Sequence, residues 1–370
     1  YSTTTSNRLT VLGQQAGYGQ QTGSENTYVG YQSGPNTVAN ASGSSNTSLG
    51  AFSLYSNTTA SENTAVGYQA LYTNATGTRN TSVGYQSLKF STASDNTAVG
   101  RAALSNTTSG ANNTALGSRA GVEITTGASN VAVGTQSLGS NTTASSNTAV
   151  GYAALYDNTT GVNNVAVGYL ALENNTTGVN NAALGFGAQG SNTTGANNVS
   201  LGLNTLRLNT AGNENTAIGT GALDANTGSS NTAVGRSALV LNTTGTQNTA
   251  VGALAGAALT TASYNALFGY NAGNDLTGER NTLIGQNAGG LITSGTKNTV
   301  IGRYDGNTGG VDIRTASNNV VISDGDGNII LGYLSSSNTT QMQYVYSNTT
   351  SDAANVAILS SGTIARSTSA

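Results

Sequence analysis

Along most of this chain an apolar residue and a glycine form a fixed pair, as in Val66-Gly67, Val83-Gly84, Val99-Gly100, Val133-Gly134, Val150-Gly151, Val167-Gly168, Ile218-Gly219 and Val234-Gly235. The glycine recurs 18 times between Gly13 and Gly302, at intervals of 17 residues with three of 16 and one of 20. A short period held this closely predicts a solenoid, whose units bury their apolar faces only against their neighbours. Just before each glycine the residues alternate with period two, the spacing of a strand. Thr or Val stands two residues before the apolar position in most copies (Thr64, Val131, Val165, Val199), and in the central copies Ala or Ser stands between them. Leu follows the glycine by four residues in many copies, among them Leu54, Leu71, Leu88, Leu155 and Leu172. The pattern predicts an all-β parallel roll of 18 coils with about 17 residues each.

The two faces of the strand carry different expectations. Val66, Val83, Val99, Val133, Val150, Val167, Ile218 and Val234 are the expected coil core, with the Leu column packing from the opposite wall. The other face holds Gly, Ala and Ser, including Ala65, Ala98, Ala132, Ala149, Ala166, Ala233 and Ala250. A solvent face would accept Lys or Glu, so a face kept this small is expected to meet another chain. One Val and one Leu per coil bury little apolar surface against the entropy of ordering the coil. Association is therefore expected, as a homotrimer.

Asn occupies the position four before the glycine in every coil but the first, where Leu9 stands. A second polar turn reads NTTG at Asn158, Asn175, Asn192 and Asn242. Asn suits left-handed turns, and stacked copies bond to one another as a ladder, so these columns are expected to be structural, including where they spell N-x-Thr glycosylation sequons. After Gly302 the period breaks. Residues 1–304 are expected to form the repeat shaft, and 305–370 an irregular β-rich cap or tip in which NNVVISDGDGNIILGY (318–333) makes a hairpin.

Composition narrows the chemistry. Only 7% of residues are charged, the net charge is -3, and 12 Lys and Arg leave no basic stripe for phosphates, so nucleic acid is not an expected partner. Cys and His are both absent, which removes thiolate nucleophiles, imidazole bases and the usual zinc ligands. No apolar run is long enough for a membrane helix, and no membrane insertion is expected. No pair of acids recurs at a fixed coil position, so the two-carboxylate arrangement of a glycosidase has no support. Neither enzyme activity nor a cofactor is expected. Asp324 to Asn328 has the oxygen-rich look of a calcium loop but lacks the closing Glu, and reads better as a hairpin turn.

The phrase N-T-A-V-G-x-x-A, as in Asn63 to Ala70, resembles the head repeats of trimeric bacterial adhesins. In its 17-residue form with an NTTG turn it looks more like repeats of bacteriophage tail fibres, cyanophage fibres among them. The closing RSTSA is similar to the junction that precedes a self-cleaving intramolecular chaperone in many phage fibres. The resemblance implies a mature, homotrimeric virion fibre whose partners are itself, other virion proteins and a host cell-surface glycan or protein. The alternative it leaves is the passenger domain of a trimeric adhesin on a bacterial surface. Recognition is expected near the end of the chain, at Arg314, Tyr344 and Tyr346. The Tyr residues after the repeat glycine (Tyr68, Tyr85, Tyr152, Tyr169) are expected to pack at a seam between chains, with stacking on sugars as the other use.

Overall fold

The computed structural model describes residues 8–35, 41–335, 339–341, 355–358 and 364–367, which contain strands and turns and no helix. The extra residues of the 20-residue interval fall partly at 36–40, outside the described residues. The chain divides into two compact units, Tyr1–Gly228 and Ser229–Ala370. Both are built from the same repeat, so the division does not fall where the period ends.

In the first unit 13 three-residue strands, β1 (Thr10–Leu12) to β13 (Thr216–Ile218), are numbered in chain order. Each pairs in parallel and in register with the next. Between β9 (Thr148–Val150), β10 (Val165–Val167) and β11 (Ala182–Leu184), for example, Ala149 stands beside Ala166 and Ala166 beside Ala183. The second unit continues with five such strands, β14 (Thr232–Val234) to β18 (Thr299–Ile301). There β19 (Val320–Ser323) adds one more parallel strand, and β20 (Ile329–Leu334) and β21 (Thr339–Gln341) turn back antiparallel. A separate antiparallel pair joins β22 (Asn355–Ile358) to β23 (Ile364–Ser367). The expected parallel β-solenoid of about 17 residues per turn is thus present, as is the hairpin expected over 318–333.

Hydrogen bonds between coils run right around the turn, not only along the strand. Thr148 N–H donates to Asn164 O at 2.8 Å, Leu155 N–H to Ala171 O at 3.0 Å, and Thr159 N–H to Thr176 O at 3.0 Å. Corners are made by left-handed residues such as Leu170 (φ 55), Leu172 (φ 51) and Asn180 (φ 57). An isolated Leu does not favour this conformation; the stacked hydrogen bonds of the neighbouring coils hold it there. The 16-residue coils lose their residue from the polar turn, where NTTG shortens to Asn226-Thr227-Gly228 and Leu276-Thr277-Gly278.

The strand faces are the reverse of the sequence expectation. Ala65, Ala98, Ala132, Ala149, Ala166, Ala233 and Ala250 are at most 1% exposed within a single chain. They point into their own coil and cannot line a contact between chains. Val66, Val83, Val99, Val133, Val150, Val167, Ile218 and Val234 are partly exposed and point outward, together with the Thr column. The physical reason is thickness. The interior is a flat slot, already filled from the other wall by buried Leu71, Leu88, Leu155 and Leu172, and it leaves room for a methyl group opposite them.

Where a larger residue enters the Ala column, a glycine replaces the Leu. Tyr28 lies against Gly17 and Gly34, where an added Cβ would come within 2.9 and 2.6 Å of the ring. Leu267 faces Gly256 and Gly273, and Leu283 faces Gly273 and Gly289, with similar clearances. The interior conserves volume by exchanging side chains between walls, as close packing requires. Tyr304 is likewise interior: it is fully buried and its hydroxyl donates to Val311 O at 2.7 Å.

Two Asn ladders seal the ends of the slot. In the first, Asn164 N–H donates to Asn147 Oδ1 at 2.9 Å, Asn181 N–H to Asn164 Oδ1 at 2.9 Å, and Asn164 Nδ2 to Gly178 O at 2.8 Å. In the second, Asn175 Nδ2 donates to Asn158 Oδ1 and Asn192 Nδ2 to Asn175 Oδ1, both at 2.8 Å. Asn57, Asn141, Asn158 and Asn192 begin N-x-Thr sequons yet are fully buried, so the folded chain offers no access to their amides. Replacing Asn164 by Ala orphans the Asn181 N–H and opens a void. We expect a loss of about 2–3 kcal/mol, measurable by denaturant unfolding.

Candidate functional site

The feature that stands out on this surface is the outward face of the strand. Its columns are the first strand position (Thr148, Val165, Ala182, Val199), the third (Val150, Val167, Leu184, Leu201) and the residue after the glycine (Tyr152, Tyr169, Phe186, Leu203). In-register pairing lines each column up along the axis of its unit. Most of the large apolar side chains that remain exposed belong to these columns. They are densest across β10, β11 and β12 (Val199–Leu201), where Val165, Tyr169, Leu184, Phe186, Val199, Leu201 and Leu203 are 43–52% exposed. In the second unit Phe268, Tyr270, Ile284, Ile301 and Val320 hold the corresponding strand positions.

The aromatic column stacks on itself. Tyr152 and Tyr169 lie 5.2 Å apart at 15°, Tyr169 and Phe186 5.2 Å apart at 8°, and Tyr68 and Tyr85 5.5 Å apart at 16°. Neighbouring rings occupy one another's faces, so the column presents ring edges and a free face only where a stack ends. Sugar rings stack on aromatic faces; this column is better suited to packing against another apolar surface.

Charge sits mainly off the strip. Arg79 grips Asp95 of the next coil with two hydrogen bonds of 2.6 and 2.9 Å, and its guanidinium holds that exposed carboxyl below the ordinary range. Arg207 and Asp224 pair in the same way at 2.9 Å. Arg101, Arg236 and Arg303 are exposed exceptions in the column that follows the glycine.

Of the residues expected to contact a receptor, Tyr344 and Tyr346 lie outside the described residues. Arg314 is exposed and committed to Asp312 at 2.8 Å, an interaction that draws the carboxyl down to about 2. Asp324 to Asn328 forms the turn between β19 and β20. Asp324 accepts from Asn328 N–H at 2.8 Å, Asn328 Nδ2 at 2.9 Å and Asp326 N–H at 3.0 Å. These donors, the Asn328 side chain first, hold its carboxyl below the ordinary range. Among the described residues no three His, Cys, Asp or Glu side chains converge as a metal-binding group, and no helix is long and apolar enough to cross a membrane.

Compared with family models, with curated proteins and with solved structures, the chain matches none.

The sequence reading missed the outward apolar strip because it placed those side chains inside. One signal was available: the middle column takes Tyr28, Leu267 and Leu283 only where the Leu column takes Gly. Paired volume changes of that kind mark two walls of one interior.

Proposed function

We propose that the chain is the shaft of a homotrimeric fibre, with copies joined through the Thr, Val and Leu strip. The carrying observation is that, within each unit, columns of Thr, Val, Leu and Ile face outward although the unit's own interior is already closed. Thirteen coils at about 4.8 Å each make the strip of the first unit roughly 60 Å long, and four residue rises make it about 13 Å across. Its footprint, on the order of 800 Å², is near what each partner contributes to a stable interface. The number three comes from the resemblance to trimeric heads and fibres. A virion fibre that presents a host-attachment surface follows as the role, structural and adhesive rather than enzymatic, since no pair of acids recurs along the coils.

The competing role is the passenger domain of a bacterial trimeric adhesin. The reading frame beyond Ala370 separates them. A chaperone domain there supports the fibre, and heptads followed by an anchor barrel support the adhesin.

Assembly is tested by sedimentation of the parent and of a Leu184→Glu, Leu201→Glu double variant. The parent is expected to sediment as a trimer and the variant as a monomer that keeps its β-sheet circular dichroism, because both residues are already exposed in the single chain. A parent that sediments as a monomer at every concentration removes the proposal.

A further inference from the structure

A second site stands on the turn side of the last coils, away from the strand face. Five residues after the repeat glycine many coils carry a large side chain, as at Tyr72, Lys89, Tyr156, Glu173 and Arg207, but the coil of Gly285 has Gly290, as the coils of Gly134 and Gly185 have Gly139 and Gly190. The missing side chain leaves a hollow of about 250 Å³ in the second unit, lined by Asn271, Asn274, Asp275, Asn287, Leu291 and Asp305 around Gly290. Asn271 and Asn287 occupy equivalent left-handed corners of successive coils (φ 54 and 56). Such corners tolerate Asn better than most side chains.

The lining has a defined chemistry. Asn271 Oδ1 is buried and has no hydrogen-bond partner. One oxygen of Asp275 accepts from Asn274 Nδ2 at 2.8 Å, and one oxygen of Asp305 accepts from Asn307 N–H at 2.9 Å and Thr308 Oγ1 at 2.8 Å. No Lys, Arg or aromatic ring lines the hollow, so neither an anion nor a flat aromatic ligand finds its complement. A bare calcium ion needs six to eight oxygens closing in at about 2.3–2.6 Å, a tighter nest than a hollow of this volume. Carboxylates accept paired hydroxyls, carboxamides both donate and accept, and Leu291 offers one apolar wall.

We propose that this hollow binds one pyranose ring of a saccharide, with its hydroxyls taken by Asn271, Asp275, Asn287 and Asp305 and its apolar edge against Leu291. The inference deepens the attachment role proposed above and rests on it for the source of the sugar, but the chemistry of the hollow stands apart from that role.

Saturation-transfer NMR on the full chain with a panel of free methyl pyranosides tests it. Gly290 has an ordinary φ, and the nearest atoms a Cβ there would meet are Asn287 O at 3.3 Å and Asn271 O at 3.5 Å. Gly290→Tyr therefore fills the hollow with the residue other coils carry and leaves the backbone in place. We expect at least one pyranoside to show transfer, Gly290→Tyr to abolish it, and Asp275→Ala to weaken binding about tenfold, the loss of one charged hydrogen bond. No transfer from any pyranoside, or transfer that survives Gly290→Tyr, overturns the site. Calorimetric binding of calcium that Asp275→Ala removes, without sugar binding, also overturns it, in favour of a cation. Host-cell attachment is scored separately: pyranoside binding by a parent that does not attach to cells defeats the attachment role alone, and attachment without pyranoside binding defeats the hollow alone.

Discussion

Ala166→Lys is expected to unfold the solenoid around β10 rather than merely separate chains. Ala166 is fully buried, stands between Ala149 and Ala183 in the ladder, and belongs to the same interior cluster as Ala171 and Leu172. A Lys there has no room for its stem and no partner for its charge. We expect a loss of about 5 kcal/mol or more, from overpacking together with an unpaired buried charge. Thermal unfolding followed by circular dichroism reads the effect, with Leu184→Lys as its counterpart. That substitution places the same charge one coil away on the outward face and should leave the single-chain fold intact while it disrupts assembly. Equal melting of Ala166→Lys and the parent would mean that the Ala column faces out after all.

Gly168→Ala carries the second large effect. Gly168 has φ 137, a backbone region that only glycine enters at little cost, and an added Cβ would sit 2.5 Å from Gly185 O in the next coil. Strain and overlap together are expected to cost about 3–5 kcal/mol. The other glycine column supplies the control. Gly178 also closely approaches the next coil, but its φ is ordinary, and equivalent positions hold Ala at Ala60, Ala93 and Ala144. Gly178→Ala should therefore cost much less, since the sequence shows that small shifts accommodate the methyl there. Chemical denaturation of the two variants side by side decides the matter, and a Gly178→Ala loss as large as that of Gly168→Ala would refute the role given to φ.

The contrast between these glycines shows what the sequence made legible. A column that is Gly at every coil from Gly13 to Gly302 announces a backbone constraint, and the period, the Thr-Ala-Val strands and the Asn ladders follow from repetition alone. The hairpin at Asp324 followed from turn chemistry. The inside and the outside of the strand were not legible by hydrophobicity, because a three-residue strand offers one alternation and the slot is too thin for Val opposite Leu. The rule that apolar residues lie inside fails for a strand whose Val, Ile and Leu point outward while its Ala points in. The hollow beside Gly290 was also hidden, since a glycine at that position recurs at Gly139 and Gly190, and only the fold brings Asn271, Asn287 and Asp305 together from three coils around Gly290.

The Asn ladders also govern how such a chain can change its length. In the first ladder each Asn side-chain oxygen accepts from the backbone N–H of the coil that follows, and in the second from the next Asn amide, so any coil can hand over to any other that starts with the same residue. Inserting or deleting one whole repeat leaves every handover intact, whereas a gain or loss of half a repeat would set an Asn beneath a Leu and break both columns at once. Reach is thus heritable in whole steps of one coil, and unequal recombination between near-identical repeats would lengthen or shorten the molecule without inventing any new interior.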